Sequence, residues 1–124
     1  MSSPEAKRIV LVVEDDAFVR MVTVEIVEDA GFDVIEAKSA HEAISILATR
    51  SDIILVVTDV DMPGSMDGIK LAHAVSNRWP PIKIIVVSGK ADMTADVLPA
   101  KTCFFAKPYS VTQIVTALDS LLGR

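Results

Sequence analysis

The stretch LVVTDVDMPG, residues 55–64, runs apolar and β-branched residues straight into two carboxylates, Asp59 and Asp61, and then into a Met-Pro-Gly bend. Its first half reads as a strand covered on both faces, where continuous rather than alternating hydrophobicity is expected. A buried strand that ends in negative charge needs something at its end to receive that charge, because unpaired carboxylates are costly to keep out of water.

Working outward, short apolar runs recur along the chain. RIVLVV (8–13), DVIEA (33–37), DIILVV (52–57), IKIIVV (82–87) and TCFFA (102–106) predict five parallel strands. Between them, apolar residues recur at helical spacing: Val19, Val22 and Ile26; Ala40, Ala43, Ile44 and Leu47; Val111, Ile114, Val115, Leu118, Leu121 and Leu122. These stripes are expected to face the sheet. Ser39 with Glu42, and Ser110 with Gln113, have capping-box spacing, Asp16 suits an N-cap, and Gly31 suits the end of the first helix. A further helix with Leu71, Ala72 and Val75 begins near Asp67 and stops at WPP (79–81), since proline lacks an amide hydrogen and restricts the residue before it. Alternation of strand and helix predicts a doubly wound α/β sheet, whose ligands bind outside the carboxyl ends of the strands. Glu14, Asp15, Asp59, Ser88 and Lys107 all follow predicted strands.

Composition narrows the function classes. A chain of 124 residues, 51% hydrophobic and without a Pro/Gly/Ser-rich linker, is expected to form one domain over 1–124. Net charge is −5, with no run of Lys and Arg and few aromatics, which argues against direct nucleic-acid binding. The polar N-terminus is followed by only a brief apolar run, fitting neither a signal peptide nor a membrane span, so a soluble cytoplasmic protein is expected. The single cysteine, Cys103, reads as a small buried side chain. His41 and His73 have no second metal-ligating residue at suitable spacing and read as surface or helix-packing residues.

VLVVEDD, VVTDVDMPGSMDG, IIVVSG and FFAKPY, in that order and spanning almost the whole chain, resemble the motifs of response-regulator receiver domains of two-component signalling. The resemblance implies a flavodoxin-like five-stranded sheet of order 2-1-3-4-5, which brings the first and third strands together at the switch point. It further implies Asp59 as phosphoacceptor, Lys107 and Ser88 as groups that contact the phosphoryl oxygens, and Mg²⁺ held by Asp15, Asp59, the main-chain carbonyl of Asp61 and, through water, Glu14. All-oxygen ligands suit that hard ion. Ser88 and Phe104 would form the switch, Asp61 and Lys90 would border the path of the hydrolytic water and set the phosphoryl lifetime, and Pro108 would follow a cis peptide bond. The implied partners are a histidine kinase or histidine phosphotransfer protein as donor and an unknown output protein. A stand-alone receiver is expected, with a piece of a hybrid kinase as the other arrangement.

Two other readings compete. The Asp59-x-Asp61 pattern also resembles haloacid-dehalogenase phosphatases, with Asp59 as nucleophile and Asp61 as acid-base; there, however, the acidic metal pair follows the lysine, whereas Glu14 and Asp15 lie upstream. A degenerate receiver acting as a constitutive binding module is the other, and the complete set of acceptor, metal and lysine positions argues against it. The chain departs from the usual pattern in its Glu-Asp acidic pair, in the extra Ser65 between MPG and MDG, and in Phe104, which has no hydroxyl. Between Ser88 and Pro108 the chain is short for a receiver, and Pro99 limits helix there. The expectation is a shortened, frayed fourth helix joined to the fifth strand by an extended LPAKT segment.

Overall fold

The computed structural model describes residues 8–60, 67–89, 97–107 and 110–122. Five strands, β1 (Ile9–Val13), β2 (Asp33–Ala37), β3 (Ile53–Asp59), β4 (Lys83–Ser88) and β5 (Cys103–Ala106), form one parallel sheet of order β2-β1-β3-β4-β5. Helices α1 (Ala17–Asp29), α2 (Ala40–Thr49), α3 (Gly68–Arg78) and α4 (Val111–Leu122) follow β1, β2, β3 and β5. The central strands are buried on both faces, as their unbroken hydrophobicity requires. One face packs Leu11, Val13, Val56 and Val86 against α2 and α3, with Leu47, Leu71 and Val75 fully covered. The opposite face packs Val10, Val12, Leu55 and Ile85 against α1 and α4, with Val27, Ile114 and Leu118 fully covered.

The helix starts are built as their sequences predict. Asp16 Oδ1 accepts from the Val19 amide at 3.0 Å, and Asp67 Oδ1 accepts from the Lys70 amide at 2.9 Å. Ser110 and Gln113 make a reciprocal capping box, with bonds of 3.1 and 2.8 Å. The box at Ser39 is modified: its Oγ accepts from the Glu42 amide, but Glu42 reaches past Ser39 to the Lys38 amide, at 2.7 Å. Gly31 leaves α1 with φ 101°, a left-handed geometry that glycine adopts at no steric cost.

Three expectations are corrected. On α1 the buried stripe is Thr23 and Val27, while Val22 is exposed. Apolar periodicity passed over a threonine whose Oγ1 donates to the Val19 carbonyl at 3.0 Å, so its hydroxyl is satisfied inside the helix and the residue can be buried. Cys103 is half-buried rather than buried, because β5 is an edge strand. The LPAKT segment is not extended: the Thr102 amide donates to the Pro99 carbonyl at 3.3 Å, and Lys101 takes φ 69°. The helix expected just after Ser88 falls largely on residues 90–96, outside the described residues.

Candidate functional site

Each polar group of the site sits where a strand leaves the core. Asp59 is the last residue of β3 and Ser88 the last of β4, so both strands run further than their apolar runs. Glu14 follows β1 directly, and its amide donates to the Ala37 carbonyl at 3.0 Å, which continues the β1–β2 ladder by one step. Lys107 follows β5 in the same way, its amide donating to the Ser88 carbonyl at 2.8 Å. Sheet order places β1 and β3 side by side, with β4 and β5 beyond.

The result is a cluster of three carboxylates. One oxygen each from Glu14, Asp15 and Asp59 lies within 4.8 Å of the others; Glu14 and Asp59 are buried and Asp15 is exposed. Lys107 Nζ approaches from the β5 side, 3.4 Å from Asp59 Oδ2 and 3.8 Å from Glu14 Oε1. One ammonium stands against the two buried members of the cluster. Burial pushes the Glu14 carboxyl up to about 7, and the nearby Asp59 charge and a hydrogen bond with Asp15 push the same way. The Asp16 amide, donating to Glu14 Oε2 at 3.1 Å, and the Lys107 ammonium oppose this without cancelling it. An oxygen-only donor set with surplus negative charge fits a hard divalent cation such as Mg²⁺, which would be held by Asp15 and Asp59 with Glu14 beside them.

Two contributors were not singled out from the sequence. Arg20, one turn into α1, donates from Nη1 to the Glu14 carbonyl at 2.8 Å and from Nε to Glu36 Oε1 at 2.9 Å. It fixes the backbone from which Glu14 and Asp15 project. Gly68 opens α3 directly behind Asp59: a Cβ there would lie 2.0 Å from the Asp59 carbonyl oxygen and 2.8 Å from the Val60 Cα. The Gly68 amide donates to the Val60 carbonyl at 3.0 Å, and the Val60 amide donates to the Val87 carbonyl at 3.0 Å. Only a residue without a side chain allows this approach, and the MDG triplet was its signal in the sequence.

A family model described as "Response regulator receiver domain" matches residues 10–119. The chain belongs to the response regulator receiver family. Among curated proteins, the receiver is 41% identical over 119 residues to the Sensor kinase CckA of Brucella abortus and 31% identical over 120 residues to the Transcriptional regulatory protein PdtaR of Mycobacterium tuberculosis. Those alignments take in 93% and 94% of this chain but only 12% and 58% of the two relatives. Among solved structures, a response regulator receiver protein from Sinorhizobium medicae superposes with a TM-score of 0.88 at 27% identity, covering 94% of this chain and 95% of that one. Family membership sets aside the haloacid-dehalogenase reading and places the receiver in a signalling family rather than a classical enzyme family.

Glu14, Asp15, Asp59, Ser88 and Lys107 are thus brought to one end of the sheet. Ser88 is fully buried. Phe104, two residues into β5, is half-buried against the cluster that contains Val86 and Leu98. Asp61, Lys90 and Pro108 lie outside the described residues. No helix of the described residues is long and apolar enough to cross a membrane.

Proposed function

We propose that residues 1–124 act as one cytoplasmic receiver unit that takes a phosphoryl group onto Asp59 from a histidine kinase or phosphotransfer protein and signals by a change of conformation to a protein partner. The observation that carries this reading is the Lys107 ammonium, 3.4 Å from a buried Asp59 carboxylate that shares its pocket with Glu14 and Asp15. An Asp59 oxygen attacks phosphorus, the P–N bond to the donor imidazole breaks, and the imidazole keeps the electron pair and takes up a proton. Asp15 and Asp59 would hold Mg²⁺, with Glu14 acting through water and, as the family resemblance implies, the main-chain carbonyl of Asp61 as a further ligand; when bound, the ion would neutralise charge on the transferring group. Lys107 pairs with one phosphoryl oxygen as a compact charge, and Ser88 donates to another. Movement of Ser88 toward the phosphoryl group lets Phe104 turn inward, so the switch works by packing. Asp61 and Lys90, which lie outside the described residues, are assigned the role that the family resemblance implies, setting the lifetime of the acyl phosphate.

Incubation with acetyl phosphate and Mg²⁺ is expected to add one phosphoryl group by intact mass, and chelation or Asp59→Asn to abolish it. Unchanged yield in Asp59→Asn would overturn the assignment.

The rim of the site supports a protein donor. Phe18 is 69% exposed and Met21 50% exposed, one helical turn apart on α1 beside Glu14 and Asp15. Apolar groups displayed beside a charged site offer a docking surface. Phe18→Ala is therefore expected to slow transfer from the cognate kinase about 10-fold while leaving labelling by acetyl phosphate unchanged. Equal slowing with both donors would place Phe18 in the chemistry and not in docking.

A further inference from the structure

At the end of the sheet away from Asp59, a cleft of about 270 Å³ lies where α2 gives way to β3 and α3 to β4. Ile53, Trp79 and Ile82 line it together with Pro80 and Pro81; its charged residues are Arg50 and Arg78, with no Asp or Glu. Ile53 is buried, while Trp79 and Ile82 pack against the same core cluster and keep part of their surface outside. The wall is rigid. The Trp79 amide donates to the Val75 carbonyl at 2.8 Å, the Ile82 amide donates to the Trp79 carbonyl at 2.9 Å, and the two prolines between them have fixed φ. A recess held in this way loses little freedom when it is filled. The two arginines differ in what they have left to offer. Arg50 donates from Nε and Nη2 to Asp52 at 2.9 and 2.7 Å. The Arg78 guanidinium sits over the Trp79 ring, 4.4 Å from its centroid, and has no ion-pair partner among the described residues. The ring holds that group in place while its N–H donors stay available for a carboxylate.

We propose that this cleft docks an acidic segment of a partner protein, with one large apolar side chain against Ile53, Trp79 and Ile82 and an adjoining carboxylate on Arg78. Charge complementarity selects the occupant, because an unmatched guanidinium on the rim of an apolar recess, in a chain of net charge −5, calls for an anion beside an apolar group. Tryptophan and arginine are also the residues that most often anchor protein interfaces. The volume falls below the roughly 300 Å³ at which ligand pockets begin, which suits a single side chain. A lipid surface fits less well, since Ile53 is buried behind the exposed Arg50, Arg78, Pro80 and Pro81. Ile53 and Asp59 are the two ends of β3, about 20 Å apart at strand rise and beyond the screening distance of physiological salt. The cleft therefore holds its partner whether or not Asp59 is phosphorylated, which goes beyond the proposed phosphoryl transfer.

The test is a fluorescence titration of the unmodified protein with three acetylated, amidated peptides: phenylalanine between two runs of three glutamates, the same with alanine at the centre, and phenylalanine between two runs of three lysines. Trp79 is the single tryptophan of the chain, so its emission reports on the cleft. A saturable change is expected with the first peptide, binding about 10-fold weaker with the second, and none with the third. Arg78→Gln should weaken the first peptide about 10-fold, and Asp52→Asn should tighten it about 3-fold by releasing Arg50. Lys107→Gln, at the other end of the sheet, should bind as the parent does. The inference is overturned if the change does not saturate, if the alanine or lysine peptide binds as well as the first, if Arg78→Gln binds like the parent, if Asp52→Asn binds no tighter, or if Lys107→Gln abolishes the response. It is equally overturned if concentrating the protein alone reproduces the change, which would make the occupant a second copy, or if phosphatidylserine vesicles produce it and the first peptide does not.

Discussion

Gly68→Ala is expected to lower the melting temperature by about 10 °C and to reduce Asp59 labelling in the protein that remains folded. The added Cβ would lie 2.0 Å from the Asp59 carbonyl oxygen, 2.7 Å from its carbon and 2.8 Å from the Val60 Cα. All three neighbours are backbone, so no rotamer change relieves the clash; α3 must lift away from the end of β3. That movement strains the Gly68–Val60 and Val60–Val87 hydrogen bonds, which fix the strand end carrying Asp59. Overpacking of this kind costs about 1–3 kcal/mol, and here the strain falls directly on the proposed phosphoacceptor. Gly89→Ala is the control, because a Cβ there meets nothing within 4 Å, and it should leave the melting temperature unchanged. Equal stability of the two variants, read by calorimetry, would mean that α3 is not seated against β3 as described.

The second large effect is electrostatic and depends on pH. Glu14 has its carboxyl raised from 4.5 to about 7, chiefly by burial, with Asp59 and Asp15 adding to the effect and Lys107 opposing it. Below pH 4.5 the group is protonated in both folded and unfolded chains and contributes nothing to the balance. Between 4.5 and 7 the folded state holds the proton that the unfolded state releases, so stability falls as pH rises. Above 7 the loss is complete. In EDTA, Glu14→Gln should therefore be more stable than the parent at pH 8 and similar to it at pH 4, when urea midpoints are compared. Saturating Mg²⁺ should narrow the gap at pH 8, because a cation among Glu14, Asp15 and Asp59 neutralises the charge that burial penalises. A parent protein that outlasts Glu14→Gln at pH 8 in EDTA would show that Glu14 is well satisfied as an anion.

Most of this architecture is legible in the sequence because its signals are local. Continuous apolar runs mark strands buried on both faces, and Asp16, Asp67 and the Ser110–Gln113 pair mark helix starts by the bonds they later make. The carboxylates and Lys107 are legible as polar residues at strand ends, although their meeting depends on a strand order that came from family resemblance. Less legible are features that depend on close approach between elements. Thr23 is buried because its own helix satisfies its hydroxyl, which a hydropathy pattern cannot register. Gly68 matters through a distance to β3, and Arg20 through bonds to the β1 end and to Glu36. The tight turn ending at Thr102 depends on Lys101 adopting a geometry that lysine seldom takes.

The central claim is that Asp59, among several acids in one pocket, carries the phosphoryl group. Reduction of the freshly phosphorylated protein with borohydride converts an acyl phosphate to the alcohol, turning the modified aspartate into homoserine, which peptide mass spectrometry can locate. Homoserine at position 59 alone, dependent on Mg²⁺ during phosphorylation, is the predicted result; homoserine at position 15 or 61, or none in a protein that has gained a phosphoryl group, would contradict it.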